Sequence, residues 1–552
     1  MYFSHEIAAG YYMIQLRNLS NNLQEENKMK NAKRFLAAAL AATLVLSMSA
    51  CGSKTDSQKS EEKDTTKATG EATTSERAKL TMFVDEAWWP YDSWNGAIPE
   101  EFNKRANVDI QVTRAADDKQ LPMLVASGDL PDLIDSYRYQ YLANDKTCIP
   151  FDTLQSQYPD VKFPVHSVLQ FVNKASDGHY YSIGCGYSPN SEYKKYDKIL
   201  TEGPGFFYRE DIAKELGLNF NSLADLDTAF AKVKTAHPEM SPVAFNYIHG
   251  FGWLRQMMGV PTSNYYNEDG NLVWYIRAKN QLEYYKKVNE WYRLGYISAD
   301  NFAFQTEDDT QKMAVSGKAF AVFSYDNHAD NYNTAVKANG GDFNFKLVTD
   351  VISDKAQKYD SFAGGRGLYI TKNSKNAEAA YKTVAYAYGD EGMKLLMWGI
   401  EGEDYTLDSK GYPTFKYDFQ GDNSVLQPRG LKYWGWLVHN AIVTGIADAN
   451  SNSQTAQARV SITKYVKHDP VIGMIRFATD SEESVINNKL IEMIKAEEAR
   501  ILMADSEQAC EAAYNDMIKK ADSIGMAKLE KYGNETYTKL KPEYEKIADN
   551  AE

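Results

Sequence analysis

Lys79-Leu80-Thr81-Met82-Phe83-Val84 opens the stretch 79–134, whose reading sets the fold class. The run is apolar, short and bounded by polar residues, so it reads as a buried first strand. An aromatic loop follows, Ala87-Trp88-Trp89-Pro90-Tyr91-Asp92-Ser93-Trp94. Next come a helical pattern over 98–106 and a second strand over 108–112. Residues 121–127 look helical, Gly128-Asp129-Leu130-Pro131-Asp132 breaks that pattern, and Leu133-Ile134 is apolar again. Strand–helix–strand–helix–strand alternation predicts an α/β fold with a parallel sheet covered on both faces.

The rest of the chain extends this rhythm. Helices are expected over 222–237 and 281–294, and a strand over 319–323. Asn267-Glu268-Asp269-Gly270-Asn271 reads as a hairpin turn. It half-imitates a calcium loop, but Tyr265 stands at the first ligand position and no closing Glu follows at the required place, so metal is not expected there. Helical patterns dominate 377–398 and again from 481 to the end, and there is no internal repeat.

The 552 residues are 43% hydrophobic and 25% charged, which excludes a fibrous or wholly disordered chain. Against 61 Lys+Arg stand 75 Asp+Glu, a net charge of −14. A nucleic-acid partner would need a basic footprint, so none is expected. The 38 Tyr and 9 Trp outnumber 23 Phe. Rings with a polar edge suit a wet, ligand-facing groove, and they also serve as half-buried packing.

Lys30-Asn31-Ala32-Lys33-Arg34, the apolar run from Phe35 to Met48, and Ser49-Ala50-Cys51 describe a secretory signal over 29–50. That apolar run is short for a membrane span of about 20 residues. Cys51 after Ser49-Ala50 resembles a bacterial lipobox, in which the Cys is lipidated and becomes the new N-terminus. Met48 stands where Leu is usual. Residues 1–28 do not fit a signal, and Gln24-Glu25-Glu26-Asn27-Lys28 can be encoded by a ribosome-binding purine run. Met29 is therefore the expected start. From Cys51 to Ala78 the chain is rich in Ser, Thr, Lys and Glu and has no aromatic residue, so it should be a disordered tether. Its root-mean-square reach is roughly 30 Å. The first 50 residues hold five Lys/Arg and three Asp/Glu, a net +2, which leaves −16 for the exported part. Of the other cysteines, Cys148 and Cys185 could pair and Cys510 is odd, so no disulfide framework is expected.

Several segments resemble the extracellular solute-binding lipoproteins of Gram-positive bacteria. Ala126-Ser127-Gly128-Asp129-Leu130-Pro131-Asp132 is similar to their SGDxPD loop, and Asp177-Gly178-His179-Tyr180-Tyr181-Ser182-Ile183 to their DGKxYxxP strand. Phe207-Tyr208-Arg209-Glu210-Asp211-Ile212-Ala213-Lys214-Glu215-Leu216-Gly217-Leu218 resembles the YRxDxxxKLGL segment. The run from Gly365 to Asn376 resembles the returning strand and its loop. Gly399-Ile400-Glu401-Gly402-Glu403-Asp404-Tyr405-Thr406 resembles the GxEGxxYT signature. The resemblance implies a type II periplasmic-binding-protein fold, two α/β lobes joined by a hinge around an interlobe ligand cleft. Mapped by segment, lobe one would be 79–205 plus 362–430, and lobe two 206–361 plus the C-terminal helices of 431–552.

Catalytic signatures are missing: no G-x-S-x-G elbow, H-E-x-x-H helix, P-loop, C-x-x-C pair or helix-opening G-x-G-x-x-G is present. The chain is not expected to be an enzyme or to hold a metal or cofactor. Clustered aromatics in loops stand out instead. Trp88, Trp89 and Trp94 follow the first strand at its carboxyl end, where open α/β sheets bind ligands. An indole face can stack on a pyranose, and it can equally plug the core beneath its loop. Trp253 would face them from lobe two, with Tyr325 and Asp326 following the strand at 319–323. Trp434, in Tyr433-Trp434-Gly435-Trp436, is a third candidate, and Asp129 joins the set from the SGDxPD-like loop. Arg366 among glycines near the presumed hinge could bind a ligand or tie the lobes through an Asp. Trp291 and Trp398, inside helices, read as packing.

These residues and the resemblance together imply a lipid-anchored, exported, monomeric receptor at the outer face of the membrane. It would capture a carbohydrate, an oligosaccharide, and deliver it to ABC importer permease subunits, touching the membrane only through lipidated Cys51. The alternatives are a peptide or amino-acid-derivative receptor, a sensor partner of a membrane kinase, and an exported glycoside-active enzyme.

Overall fold

The computed structural model describes residues 76–549 except 201, 247–249, 263, 305, 420–422 and 479–480. The expected start, signal and lipidated Cys51, with the tether through residue 75, lie outside the described residues.

Two four-stranded sheets organise the described chain. In the first, strand Ala78–Val84 pairs in parallel with Val108–Arg114 on one side and Leu133–Ser136 on the other. The fourth strand, Gly367–Ile370, joins Leu133–Ser136 antiparallel. In the second sheet Ser241–Ala244 runs parallel to Ala319–Tyr325, while Pro204–Arg209 is antiparallel to both Ala319–Tyr325 and Phe345–Leu347. The sheets are thus mixed rather than parallel throughout, and the reason is topological. Gly367–Ile370 and Pro204–Arg209 each enter their sheet just after the chain has crossed from the other one. They start at the end where the parallel strands finish, so they must run the opposite way.

Local signals set the element boundaries. The Ser222 hydroxyl accepts from Asp225 N–H at 3.2 Å and caps helix Leu223–Ala236. Ser481 and Ser506 do the same for helices Glu482–Leu502 and Glu507–Ile524. Asp269 and Gly270, with φ of 51° and 98°, form the tight turn between Tyr265–Glu268 and Asn271–Trp274. Residues 177–183, similar to a family strand, make only the single bridge Lys174–Tyr180. Tyr180, Tyr181 and Ile183 are buried all the same.

Each sheet has its own core. Leu80, Met82, Val84, Leu368 and Ile370 pack with Tyr381, Leu396 and Trp398 around the first. Phe206, Phe230, Trp253, Trp291 and Phe323 pack around the second. Trp291 and Trp398 are core residues, as their helices suggested. One boundary moves. Leu431, Trp434, Leu437, Ile442, Val443 and Ile446, expected with the C-terminal helices, pack in the core of the first sheet. Trp398 Nε1 donates to Val443 O there at 3.0 Å. The second lobe resumes with helix Gln454–Thr463, and the three helices from Glu482 to Asp549 pack on its core. The last of them also reaches Val168, Val172 and Tyr187, where the Tyr544 and Tyr187 hydroxyls meet at 2.8 Å. Cys148, Cys185 and Cys510 are all buried free thiols, so Cys148 and Cys185 are not bridged.

Candidate functional site

The carboxyl ends of the parallel strands in both sheets converge on one cavity of about 190 Å³. Tyr137, just beyond strand Leu133–Ser136, and Tyr325, the last residue of Ala319–Tyr325, both line it. Cys185–Tyr187, Trp436 and His439 complete the side belonging to the first sheet. Gln256, Gln357–Asp360 and His468 complete the side belonging to the second. The wall is rich in rings: Tyr137, Tyr187, Tyr193, Tyr325, Tyr359, Phe362 and Trp436 stand beside amide, acid, hydroxyl, ammonium and imidazole groups.

Glycines make one side of this wall possible. A Cβ on Gly184 or Gly364 would stand 2.9 Å from the other's backbone, so only glycine allows the two segments to touch. Cys185 N–H then donates to Arg366 O at 2.8 Å and Gly365 N–H to Cys185 O at 3.0 Å. The Gly364-Gly365-Arg366-Gly367 run thereby fixes Cys185–Tyr187 at the cavity edge.

Arg366 itself lies one layer behind. It is 1% exposed, with its guanidinium 4.6 Å from the Trp89 ring centroid and 4.8 Å from that of Tyr137. Its Nε stands 2.9 Å from Asp135 and its Nη2 3.2 Å from Glu86. Arg138 Nε donates to Asp85 at 2.7 Å beside them. Three carboxyl groups therefore share two guanidinium groups away from water. Burial pushes the Asp135 carboxyl up to about 8, the Arg366 charge opposing it. Arg366 orients Tyr137 and ties parts of the first lobe together. It does not join the lobes.

The residue that does so is Arg459. It is buried, with Nη2 and Nε donating to the two oxygens of Asp326 at 2.8 and 2.9 Å and Nη1 to Asp448 at 2.9 Å. Asp448 sits between Ala447 and Ala449 of the first core, whereas Asp326 directly follows the strand Ala319–Tyr325 of the second sheet. Asp326 also accepts from Gly203 N–H at 3.0 Å. The carboxylate expected to meet ligand is thus committed to the crossing between lobes.

Of the other expected contacts, Tyr325 lines the cavity. Trp88 is 49% exposed with its ring 6.1 Å from Trp436, at the rim. Trp89 and Trp434 are fully buried and pack on each other at 5.8 Å. Trp94 is half-buried 4.6 Å from Trp434, and its Nε1 donates to Asn103 at 2.9 Å. These three rings form the plug beneath the loop rather than the cavity wall. Trp253 is core as well, 5.2 Å from Phe206. Asp129 is exposed in the loop leading into the amino end of Leu133–Ser136, the end remote from the cavity.

The sequence reading missed Tyr137, Tyr187, Tyr193, Tyr359, His439 and His468. One signal was available. Residues 202–206 and 357–362 flank the lobe boundaries inferred from the motifs, and a segment crossing a hinge must border the cleft.

Ser324, His328 and Glu307 also cluster. Ser324 Oγ is 2.7 Å from His328 Nδ1, and Glu307 is 3.0 Å from that same nitrogen. A relay needs serine and acid on opposite ring nitrogens, so this is no catalytic triad.

Residues 97–403, more than half of the chain, match the family model described as bacterial extracellular solute-binding protein. The chain belongs to that family. Over 334 residues this solute-binding protein is 21% identical to the maltodextrin-binding protein MdxE of Bacillus subtilis (strain 168), covering 58% of this chain and 71% of the relative. Solved structures share the fold. The S. pneumoniae ABC-transporter substrate-binding protein FusA, in complex with kestose, is 16% identical with a TM-score of 0.62 over 84% of this chain and all of its own. The alginate-binding protein AlgQ2 is 17% identical with a TM-score of 0.59, over 84% and 99%. The two-lobed α/β architecture is therefore that of known solute-binding proteins.

Proposed function

We propose that this solute-binding protein captures an oligosaccharide in the interlobe cavity and delivers it to an ABC importer. The carrying observation is the cavity wall, in which Trp436 and five tyrosines supply ring faces while Gln256, Gln357, Asp360 and two histidines supply hydrogen-bonding edges. Pyranose rings present C–H faces for stacking and hydroxyls at their rims, so such a wall complements them. The similarity to the maltodextrin-binding protein MdxE, to FusA in complex with kestose and to the alginate-binding protein AlgQ2 supports the reading.

A solute touching both walls favours the closed arrangement of the lobes by its differential affinity. The closed receptor then docks on permease subunits, which open it and take the sugar, with ATP hydrolysed by another component. Cys51 would carry the lipid that holds the receptor at the outer membrane face, and the tether would leave the folded body free. A glycan array followed by calorimetry tests the reading: saccharide binding with one site per chain is expected, and binding of peptides with no saccharide retained would replace it.

A further inference from the structure

The cavity of about 190 Å³ is smaller than the roughly 300–1,000 Å³ of pockets that enclose drug-sized ligands. It therefore takes little more than one sugar ring, and a longer saccharide must continue outside it. Trp436 marks a place where it can. This residue lines the cavity, and the ring of Trp88 lies 6.1 Å from its own, tilted by 57°. Trp88 is the one aromatic ring among the large apolar side chains that the described residues leave exposed. Single exposed apolar side chains are ordinary on protein surfaces. Trp88 differs from the others in extending the aromatic wall of a cavity.

The backbone on either side holds that ring in place. Trp88 sits inside a tight turn closed by Trp89 N–H, which donates to Glu86 O at 3.2 Å. Both ends of the turn are anchored. Trp89 is buried and its carbonyl accepts from Arg114 Nη1 at 2.6 Å, while the Glu86 carboxyl stands 3.2 Å from Arg366 Nη2. Burial raises the Glu86 carboxyl, and the Arg366 charge and the Trp88 N–H oppose that rise, so the polar edge of the indole is turned toward Glu86. Trp89 backs the ring at 5.5 Å. What remains in water is the apolar part of a ring whose neighbours are fixed, and a sugar stacking on it has little side chain left to order. Continuity selects the occupant: a saccharide with one ring against Trp436 brings its next ring to Trp88 without leaving the aromatic surface.

We propose that Trp88 forms an outer subsite at the cavity rim, where it stacks on a second sugar ring and makes the protein select chains over single sugars. The inference rests on the carbohydrate reading above. The test is calorimetry on the full mature chain with the tightest-binding saccharide of the glycan array and its fragments, shortened one ring at a time to the monosaccharide. Wild type is expected to bind the fragment of two rings about 10-fold more tightly than the single ring. Trp88→Ala should remove most of that gain and leave single-ring affinity within about twofold of wild type. Trp88→Tyr, which keeps a stacking face, should retain part of the gain. Trp436→Ala should instead weaken every length, because its ring belongs to the cavity itself. Unliganded melting temperatures close to wild type are expected for both Trp88 variants and separate a lost contact from a misfolded loop. Longer fragments bound by Trp88→Ala as tightly as by wild type overturn this inference and leave the carbohydrate reading standing. So does an equal loss for the single ring and the longer fragments, or a wild type that gains nothing from a second ring. Failure of wild type to bind any saccharide overturns both.

Discussion

His439 enters the cavity wall three positions after Trp436, and burial lowers its imidazole from 6.5 to about 4, with the Arg366 charge pushing the same way. The folded-state value lies below the unfolded one, so the native state binds fewer protons between those limits. Stability is complete above about pH 6.5 and is lost as pH falls toward 4, by on the order of 2 kcal/mol. His439→Gln should show a smaller drop in melting temperature between pH 7 and pH 4.5 than wild type, measured by calorimetric scans without ligand. An equal drop would show that His439 does not titrate against burial. At this scale the sequence is legible only in part. The Pro-, Gly- and Ser-rich surroundings of Trp88, Trp89 and Trp94 announce an aromatic loop. They do not say which ring turns outward, because irregular backbone has no period from which to read a face. Trp434 and Trp436 are two positions apart on one short 3₁₀ turn, yet one is core and the other cavity wall. Neighbouring Trp89 and Trp94 decide between them, and they are some 340 residues distant in sequence.

Among elements, the junction between lobes is tied by buried charge. Helix Gln454–Thr463 places Arg459 between Asp326 and Asp448, one from each lobe. Arg459→Ala would leave two buried carboxylates without their cation, and removing one partner of such a network costs about 3–5 kcal/mol. Urea denaturation should show that loss as a lower midpoint. A midpoint within error of wild type would mean that solvent or another cation compensates, and that the junction does not depend on this residue. Strand and helix periods place the elements at 78–84, 97–106, 108–114, 120–127, 223–236, 281–293 and 319–325 within a residue or two. The segment 431–449 was misassigned for a physical reason. Its helices and turns are too short to show a period, so only tertiary contact with Trp398 and Met393 reveals which core they fill.

The described residues form two lobes whose parallel strands point their carboxyl ends at one shared cavity, and both motif order and strand rhythm made the two-lobed α/β architecture readable. The mixed strand directions were not readable, since pairing direction follows from where the chain crosses between lobes rather than from local composition. Anchoring belongs to this scale too. Cys51→Ala should leave the precursor uncleaved by lipoprotein signal peptidase while the folded body keeps its melting temperature. A variant that stays with membranes through salt and carbonate washing would contradict the lipid anchor. The central claim is that solute binds against the aromatic wall between the lobes, and Trp436 tests it most directly. Calorimetric titration of Trp436→Ala with the saccharide that wild type binds should show a loss of roughly 2–4 kcal/mol, about 30- to 1,000-fold in affinity, at an unliganded melting temperature close to wild type. Trp434→Ala should behave oppositely, losing about 3–5 kcal/mol of stability while a folded fraction keeps its affinity. Wild-type affinity in Trp436→Ala would contradict the account and move the solute away from this cavity.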